Sequence, residues 1–271
     1  MRLTGLEGRV FVVTGAAGGI GQAVCRTLVT AGARVAAVDR AEDRLKQLEA
    51  TGGTVGQRDD RAPEGTIAGA VTAYPADVAG ARSADKVLAR VEADLGAVEG
   101  LVNASGVLHT GPALSASRGD WEEVMAVNAT GVFSWSQAAG ARMTPRGRGV
   151  IVTVASVTAG TLRTGMAAYA ASKAAAATYT LCLGLELAPK GIRCNVVSPG
   201  TTDTPMLERL GPGAVATAIR GDLANHHPGT PNGRVAQPQD IADAVVFLLS
   251  DQARHITLHS LYVDGGATLR G

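Results

Sequence analysis

The sequence has few aromatic residues and almost no net charge. Phe, Trp and Tyr make up only 3% of its 271 residues, so a hydrophobic core must be built mainly from Ala, Val, Leu and Ile. The 25 Lys and Arg residues nearly balance the 24 Asp and Glu residues, which leaves a formal net charge of +1. Without a basic field, neither nucleic acid nor an anionic membrane surface is an expected partner.

Cysteines and long apolar runs are also scarce. The three cysteines form no CxxC pair and no metal-ligand spacing, so no metal site is predicted. Cys25, Cys182 and Cys194 lie in or beside apolar stretches, and we expect all three to be small buried residues. No run approaches the ~20 apolar residues that span a bilayer, and the first residues lack a signal-peptide pattern. These features predict a cytoplasmic protein.

Short β-branched runs alternate with Ala- and Leu-rich stretches along the chain. This alternation predicts parallel β/α/β units, and the nearly continuous apolar character of the runs indicates strands buried on both faces. No linker, repeat or change in composition divides the chain. The prediction is therefore an α/β fold with a single domain over residues 1–271, a Rossmann-like doubly wound parallel sheet with helices on both faces. The predicted strands cover residues 10–13, 34–39, 71–76, 100–102, 150–154, 193–197 and 261–263, and the longest predicted helices cover 117–142 and 166–188.

Two segments depart from this alternation. Residues 51–70 are rich in glycine and charge without a usable period, and we expect a surface insertion there. Residues 205–237 contain several prolines and glycines, which interrupt both helices and strands. Excursions at the carboxyl ends of strands often cover the ligand in doubly wound sheets, so this segment is predicted to be a mobile substrate lid.

A glycine-rich segment, TGAAGGIG, follows the first predicted strand and enters a predicted helix. Its glycines have the spacing GxxxGxG. Glycine lets the backbone approach a pyrophosphate, and the helix N-terminus supplies free N–H donors and a positive dipole. A plain tight turn is the alternative, but the position at the first β-to-α connection favours a dinucleotide site. The residues predicted to bind the cofactor here are Gly15, Ala17, Gly19, Ile20 and Gly21.

The second predicted strand ends at Asp39, which is followed by Arg40, and these two residues indicate which dinucleotide is bound. A carboxylate at this position accepts hydrogen bonds from the hydroxyls of the adenosine ribose and repels a 2′-phosphate. No basic residue lies within the glycine-rich segment to bind such a phosphate. Arg40 adds a guanidinium that can stack on adenine or tolerate a phosphate. The sequence favours NAD over NADP as the cofactor.

Four residues in the middle of the chain have the chemistry needed for alcohol oxidation. Tyr169 and Lys173 lie four residues apart in a predicted helix and hence on one face, with Ser156 and Asn128 upstream. Positive charge from Lys173 and an oxidised nicotinamide is expected to lower the pKa of Tyr169 from ~10, so that its oxygen accepts a proton while hydride leaves the alcohol carbon. The Ser156 hydroxyl would orient the substrate oxygen. A Tyr-x-x-x-Lys pair alone also fits an ordinary amphipathic helix, but its combination with Ser156 and the glycine-rich segment favours catalysis.

Together with the segments PADV, NASG and PGTTDT, these motifs make the sequence resemble the short-chain dehydrogenase/reductase family over essentially the whole chain. The resemblance implies a nicotinamide cofactor and a homotetramer. It also implies that Lys173 contacts the nicotinamide ribose and that Asn128 joins a water relay to Lys173. Ser105 stands where the family usually has Ala, and a hydroxyl fits there. The further cofactor-binding residues implied by the resemblance are Asp77, Val78, Asn103, Ala104, Ser105, Gly106, Tyr169, Pro199, Gly200, Thr202 and Thr204.

Stretches that extend well beyond the shared motifs, among them RCNVVSPGTTDTPM and HITLHSLYVDGGATL, resemble members of this family that oxidise dihydro-aromatic carboxylic acids. This implies a carboxylated cyclohexadiene substrate whose ring carries a 2-hydroxyl or a 2-amino group. Arg163 lies between the predicted catalytic Ser and Tyr, where its planar guanidinium matches a ring carboxylate; a solvated loop Arg is the alternative. Met166 and Met206 suit an apolar ring wall or the core, and His109 suits the pocket or the surface.

Two other functions are compatible with parts of the pattern. A 3-oxoacyl carrier-protein reductase would share the motifs, but it predicts NADPH selection and a basic docking patch, and the sequence shows neither. A catalytically inactive nucleotide-sensing regulator would not need intact Ser156, Tyr169 and Lys173.

Overall fold

The computed structural model describes residues 3–52 and 69–268, in which seven strands form one parallel sheet. The strands are β1 (Val10–Thr14), β2 (Arg34–Asp39), β3 (Ala70–Pro75), β4 (Val98–Asn103), β5 (Gly149–Val154), β6 (Ile192–Pro199) and β7 (Ser260–Val263). Their order in the sheet is β3-β2-β1-β4-β5-β6-β7. The predicted α/β class, with a doubly wound parallel sheet, is confirmed.

Helices cover both faces of this sheet. They are α1 (Gly19–Thr30), α2 (Glu42–Gly52), α3 (Ser83–Leu95), α4 (Arg118–Met125), α5 (Gly131–Met143), α6 (Ala167–Leu187), α7 (Pro205–Glu208), α8 (Ala214–Arg220) and α9 (Pro238–Leu249). Helices α1 and α9 pack together on one face, and α3 and α5 pack together on the other. Across the described ranges, no helix combines the length and apolar character needed to cross a membrane.

The central strand β1 contributes to two separate cores. Its residues Phe11 and Val13 pack in the cluster beneath α1 and α9, whereas Val10 and Val12 pack in the cluster beneath α3 and α5. Successive side chains of a strand point to opposite faces, so a strand covered on both sides must be apolar throughout. This burial explains why the sequence shows continuous apolar runs at the strands.

The stretch predicted as one helix over residues 117–142 is divided in the structure. Helices α4 and α5 are joined by a π-helical turn, Ala126–Thr130. Such a turn closes its hydrogen bonds over one more residue than an α-helix does, which changes the direction of the following side chains, and it occurs frequently at functional sites. Asn128 lies in this turn and is fully buried.

The segment 205–237 contains more regular structure than its prolines and glycines suggest. It includes α7, α8 and a short 3₁₀ helix, Leu223–Asn225. Isolated bridges pair Asp222 with His227 and Thr202 with Ala236. Its motion as a lid stays a prediction. Of the insertion predicted at 51–70, residues 53–68 lie outside the described residues.

The prediction that every cysteine is buried is wrong for one of the three. Cys25 and Cys194 are buried, but Cys182 is exposed on α6. The sequence of α6 is apolar around most of the helix, so its composition does not distinguish the face on the sheet from the outer face.

Candidate active site

A cavity of about 520 Å³ opens at the carboxyl ends of β1, β4, β5 and β6. Strands β1 and β4 are neighbours in the sheet although β2 and β3 lie between them in the chain, and the strand order reverses there. Doubly wound sheets bind ligands at this kind of position. The predicted residues that line the cavity are Gly15, Ala17, Gly19, Ile20, Gly21, Asp39, Arg40, Asp77, Val78, Ala104, Ser105, Gly106, Ser156, Arg163, Met166, Tyr169, Lys173, Pro199, Gly200, Thr202, Thr204 and Met206.

The glycine-rich turn between β1 and α1 has no room for a side chain at Gly15 or Gly21. Gly15 has a φ of +69°, in the left-handed region, and a Cβ there would lie 2.6 Å from backbone atoms of Ala104. A Cβ at Gly21 would overlap the carbonyl oxygen of Gly15. Helix α1 begins at the cavity wall, and no side chain caps its N-terminus. Its first N–H groups are therefore available to an anion.

Asp39 is held in place at the end of β2. One carboxylate oxygen, Oδ2, accepts the backbone N–H of Ala17 at 3.1 Å, and Oδ1 accepts that of Ala41 at 3.0 Å. These contacts fix the carboxylate against the glycine-rich turn, while Arg40 and Arg44 line the same part of the cavity. A fixed negative charge here favours a ribose diol and disfavours a phosphate.

Ser156, Tyr169 and Lys173 meet on the opposite side of the cavity. Ser156 follows β5, and Tyr169 and Lys173 lie one turn apart on α6. The Ser156 hydroxyl and Tyr169 line the same wall, and Ser156 acts to lower the pKa of Tyr169. The Lys173 ammonium lies 5.8 Å from the centroid of the Tyr169 ring, and its Nζ donates to the carbonyl of Val154 at 2.9 Å. The structure thus brings together in the cavity wall three of the four groups that the sequence predicted as catalytic.

The pKa of Tyr169 differs from the sequence-based expectation. Burial raises the pKa of Tyr169 above its ordinary value, although the hydrogen bond from Ser156 and the charge of Arg163 oppose this rise. Burial also lowers the pKa of Lys173 to about 8, because the interior disfavours its charged form. Among the protein groups, desolvation of the phenolate outweighs its neighbours, and the lowering expected from Lys173 together with an oxidised nicotinamide stays a prediction.

Asn128 ties the loop after β4 to α6. Its Nδ2 donates to the carbonyl of Val107 and to the hydroxyl of Ser172, and its Oδ1 accepts the N–H of Val107 at 2.9 Å. A Cβ placed on Gly106 would lie 3.4 Å from Lys173 Nζ and 3.5 Å from Asn128 Oδ1. The amide is therefore close to the lysine, but its side chain is not part of the cavity wall.

Arg163 stands beside Tyr169 with an unused donor. Its Nε is buried and has no hydrogen-bond partner within the described part of the chain. Burial lowers the pKa of Arg163, and Tyr169 acts in the opposite direction. An unpaired buried guanidinium donor is costly unless an acceptor arrives. Met166 and Met206 line the same cavity and supply apolar surface.

Besides Asn128, two further predicted residues do not line the cavity. His109 is held outside it, with Nε2 2.8 Å from Glu123 and Nδ1 3.5 Å from Asp120. Asn103 is buried in the sheet and donates to Ser136 at 2.9 Å. The sequence did not reveal these partners because the carboxylates of α4 and the hydroxyl of α5 are distant along the chain.

Several cavity residues were missed by the sequence analysis. Thr158 hydrogen-bonds to Ser156, and Arg44, Leu108 and Leu210 line the wall. The position of Thr158 two residues after Ser156 is a usable signal, because Thr and Ser side chains commonly bond within a short turn. The others depend on how α2 and the segment 205–237 fold over the sheet.

The similarity of the chain to known proteins agrees with this geometry. A family model described as enoyl-(acyl carrier protein) reductase matches residues 15–268. The chain is 46% identical to the 2,3-dihydro-2,3-dihydroxybenzoate dehydrogenase of Bacillus subtilis, over 99% of each chain.

Two solved structures share the whole fold. A short-chain type dehydrogenase/reductase from Mycobacterium marinum superposes with a TM-score of 0.85 at 28% identity, covering 98% of this chain and 97% of that one. The 3-ketoacyl-(acyl-carrier-protein) reductase from Brucella melitensis, complexed with NADH, gives a TM-score of 0.83 at 29% identity, covering 97% and 99%. The resemblance seen in the sequence is confirmed. The chain belongs to the short-chain dehydrogenase/reductase family and is an oxidoreductase that acts on CH–OH groups.

Proposed function

We propose that this enzyme oxidises a ring hydroxyl of a 2,3-dihydro-aromatic carboxylic acid with NAD⁺. The substrate is 2,3-dihydro-2,3-dihydroxybenzoate or its amino analogue, 2,3-dihydro-3-hydroxyanthranilate. The full-length similarity to a dehydrogenase named for the first compound supports this substrate class. The enzyme would act in the cytoplasm, in the biosynthesis of a siderophore or another secondary metabolite.

The observation that carries the proposal is the guanidinium of Arg163. It lies beside Tyr169 on the wall of the cavity, and its buried Nε has no partner within residues 3–52 and 69–268. A ring carboxylate would satisfy this donor and offset the desolvation of the cation. A neutral alcohol would leave both costs in place. The site therefore favours an acid that carries its carboxylate on the same ring as the reacting hydroxyl.

The residues on the other side of the cavity fit a dinucleotide. The turn at Gly15 leaves space for the backbone to approach a pyrophosphate, and Asp39 is fixed where it would accept the hydroxyls of a ribose. Lys173 would hold the nicotinamide ribose, and Thr202 and Thr204 would hold the carboxamide. When bound, NAD⁺ supplies the acceptor for the hydride that leaves the carbinol carbon.

Residues of the chain itself accept the proton that leaves the substrate hydroxyl. Tyr169, as phenolate, takes the proton of the substrate hydroxyl, and Ser156 donates a hydrogen bond to the same oxygen. Lys173 places a positive charge near Tyr169, and Asn128 fixes the loop through which a relay of water reaches Lys173. Loss of one hydride and one proton leaves a ring ketone, which tautomerises to the aromatic product without further help from the protein.

The test is NADH formation on a panel of alcohols. We expect turnover of one or both dihydro-aromatic acids, weak turnover of a matched neutral cyclohexenol, and a higher kcat/KM with NAD⁺ than with NADP⁺. The kcat/KM values for 2,3-dihydro-2,3-dihydroxybenzoate and for 2,3-dihydro-3-hydroxyanthranilate decide whether the preferred ring carries a 2-hydroxyl or a 2-amino group. Equal kcat/KM for the acid and the neutral alcohol would overturn the assignment of substrate class.

A carrier-protein substrate is the second candidate, supported by the similarity to the Brucella melitensis reductase. Its activity would be reduction of a 3-oxoacyl thioester with NADPH. The Asp39 carboxylate is fixed beside the glycine-rich turn, where it would repel the 2′-phosphate of NADPH. Faster reduction of a 3-oxoacyl carrier protein than oxidation of the dihydro acids would replace the main proposal. Absence of turnover with every substrate, despite NADH binding, would favour a nucleotide-sensing regulator.

We also propose a homotetramer, on the basis of the family resemblance. Exposed aromatic side chains on α4 and α5, Trp121 and Phe133, are consistent with contacts between subunits. Light scattering coupled to size-exclusion chromatography measures the mass directly, and a monomeric mass would contradict the proposal.

A further inference from the structure

Ser156 and Tyr169 line the same cavity wall, and the direction of a hydrogen bond between their hydroxyls decides whether that bond helps or hinders proton uptake. A serine hydroxyl has one hydrogen and two acceptor lone pairs, so it can either donate or accept. Donation from Ser156 stabilises the Tyr169 phenolate, whereas donation from Tyr169 to Ser156 stabilises the protonated phenol. An enzyme that uses the phenolate therefore gains from any feature that prevents Ser156 from accepting.

Thr158 provides two donors to the same oxygen. Its backbone N–H points to Ser156 Oγ at 3.2 Å, and its hydroxyl lies 2.8 Å from Ser156 Oγ. Both residues are buried, with 9% of Ser156 and 3% of Thr158 exposed, so water does not compete freely for these positions. The Thr158 hydroxyl makes no other hydrogen bond within the described ranges. The 3₁₀ turn Val157–Ala159 holds both donors on one side of Ser156.

We propose that Thr158 is a positioning residue that occupies both lone pairs of Ser156 Oγ and thereby makes Ser156 an obligatory donor. The single hydrogen of Ser156 is then directed to Tyr169 and, in the substrate complex, to the oxygen of the reacting alcohol. That oxygen gains negative charge as its proton leaves, so a donor at this point favours the transition state over the ground state. The hydroxyl chain runs from Thr158 to Ser156 to Tyr169, and polarisation along it strengthens the last bond.

The Thr158→Val variant removes one of the two donors while keeping the shape of the side chain. One lone pair of Ser156 is freed, so neutral Tyr169 can donate to it. The apparent pKa of Tyr169 should rise by about 0.5–1 unit, which corresponds to one net hydrogen bond. The ascending limb of the pH profile of kcat should move to higher pH by the same amount, because the rate depends on the phenolate. At neutral pH kcat should fall about fivefold, with KM changed less than about twofold.

The inference rests on the proposed catalytic roles of Ser156 and Tyr169, but not on the identity of the substrate. The pKa of Tyr169 is therefore also measured directly from tyrosinate absorbance. For each variant, the titration curve of the same protein with the additional Tyr169→Phe substitution is subtracted, which isolates the signal of Tyr169. The rescue variant is Thr158→Ser, which keeps the hydroxyl. The matched control is Thr161→Val, the same substitution three residues away at a side chain outside the cavity wall.

The expected result is a raised pKa for Thr158→Val, recovery with Thr158→Ser and no shift with Thr161→Val. An unchanged pKa in folded Thr158→Val, no recovery with Thr158→Ser, or an equal shift in Thr161→Val would overturn the inference. If Thr158→Val does not fold, Thr158→Ala gives the same comparison. If no dihydro-aromatic acid is oxidised, the substrate proposal fails, while the absorbance titration still decides the role of Thr158.

Discussion

The two ends of the cavity differ in which protein groups determine their shape. At the end beside β2, backbone groups set the geometry: the turn at Gly15 leaves no room for a side chain at that residue, and two N–H groups hold the carboxylate of Asp39. At the other end, side chains from separate segments line the wall, with Arg163 and Met206 as examples. Loop 157–166 and segment 205–237 are joined there by a hydrogen bond of 2.7 Å between Thr164 and Asn225.

This contrast indicates that one end of the cavity serves cofactor binding and the other serves substrate recognition. Backbone geometry is insensitive to most substitutions, so the first end suits a cofactor that all relatives need in the same position. Side chains on loops change without disturbing the sheet, so the second end suits recognition of a particular substrate. A change at the first end should affect every substrate alike, and a change at the second should separate acids from neutral alcohols. The four substitutions below test that division.

The largest effect is expected where the two ends meet, at Tyr169. Tyr169→Phe removes the proton acceptor and should lower kcat by about 10²–10⁴-fold on acid and neutral substrates alike. NADH binding, measured by fluorescence titration, should be nearly unchanged. Lys173→Ala should reduce both, because the ammonium is expected on the cofactor ribose. Retention of kcat within about tenfold, or ~1.4 kcal/mol, in Tyr169→Phe would refute the proposed proton transfer.

Arg163→Ala should have the next largest effect, and mainly on acids, although loss of its charge also raises the pKa of Tyr169 for every substrate. Loss of a partly desolvated, charge-assisted pair leaves the carboxylate without its partner, so kcat/KM for the acid should fall by roughly 2–4 kcal/mol, about 30- to 1,000-fold. Arg163→Lys should recover part of this loss, because a point charge lacks the planar fork.

The control for this substitution is His109→Ala. His109 is bound by Glu123 and Asp120 outside the cavity, so acid and neutral substrates should respond equally to its loss. An acid-selective loss in His109→Ala, together with equal losses for both substrates in Arg163→Ala, would transfer carboxylate recognition to the histidine.

The cofactor end was the more predictable from sequence, for a physical reason. Its residues follow strands directly, and parallel strands bring their carboxyl ends to one edge, so order along the chain gives position in space. Gly15 and Asp39 were placed in this way. The same logic placed Ser156, and helical spacing placed Tyr169 and Lys173 on one face.

The failures have a physical reason as well. His109 and Asn103 are held by polar groups of α4 and α5, and these contacts do not show in the order of residues along the chain. Residues 120–130 contain no Gly or Pro that would mark the break between α4 and α5. The burial that raises the pKa of Tyr169 cannot be read from composition.

Asp39→Ala should have a moderate effect, confined to cofactor choice. Removal of the carboxylate takes away a partner for the ribose hydroxyls and a repulsion against a 2′-phosphate, so the ratio of kcat/KM for NAD⁺ over NADP⁺ should fall about tenfold. The ratio should fall equally with acid and neutral substrates. Asp39→Asn keeps an acceptor for Ala17 or Ala41 but not the charge, which separates repulsion from local structure. A stronger preference for NAD⁺ in either variant would contradict the role of Asp39.

The smallest effect is expected from Thr164→Val, which removes the bond between the two loops at the substrate end. The Thr164 hydroxyl donates to Asn225 Oδ1 at 2.7 Å, and Asn225 in turn donates to Asp222, so the bond connects loop 157–166 to segment 205–237. Both Thr164 and Asn225 are exposed, and water replaces much of what is lost, so the cost should be at most ~1 kcal/mol. If closure of the segment orders Arg163, KM for the acid should rise about two- to fivefold, with kcat and the KM for NAD⁺ unchanged. Asn225→Ala should give the same change, and the double variant should be no worse than either single one, because both remove one interaction. Additive losses would show that the two residues act separately, and a raised KM for NAD⁺ would show that the two ends of the cavity are not independent.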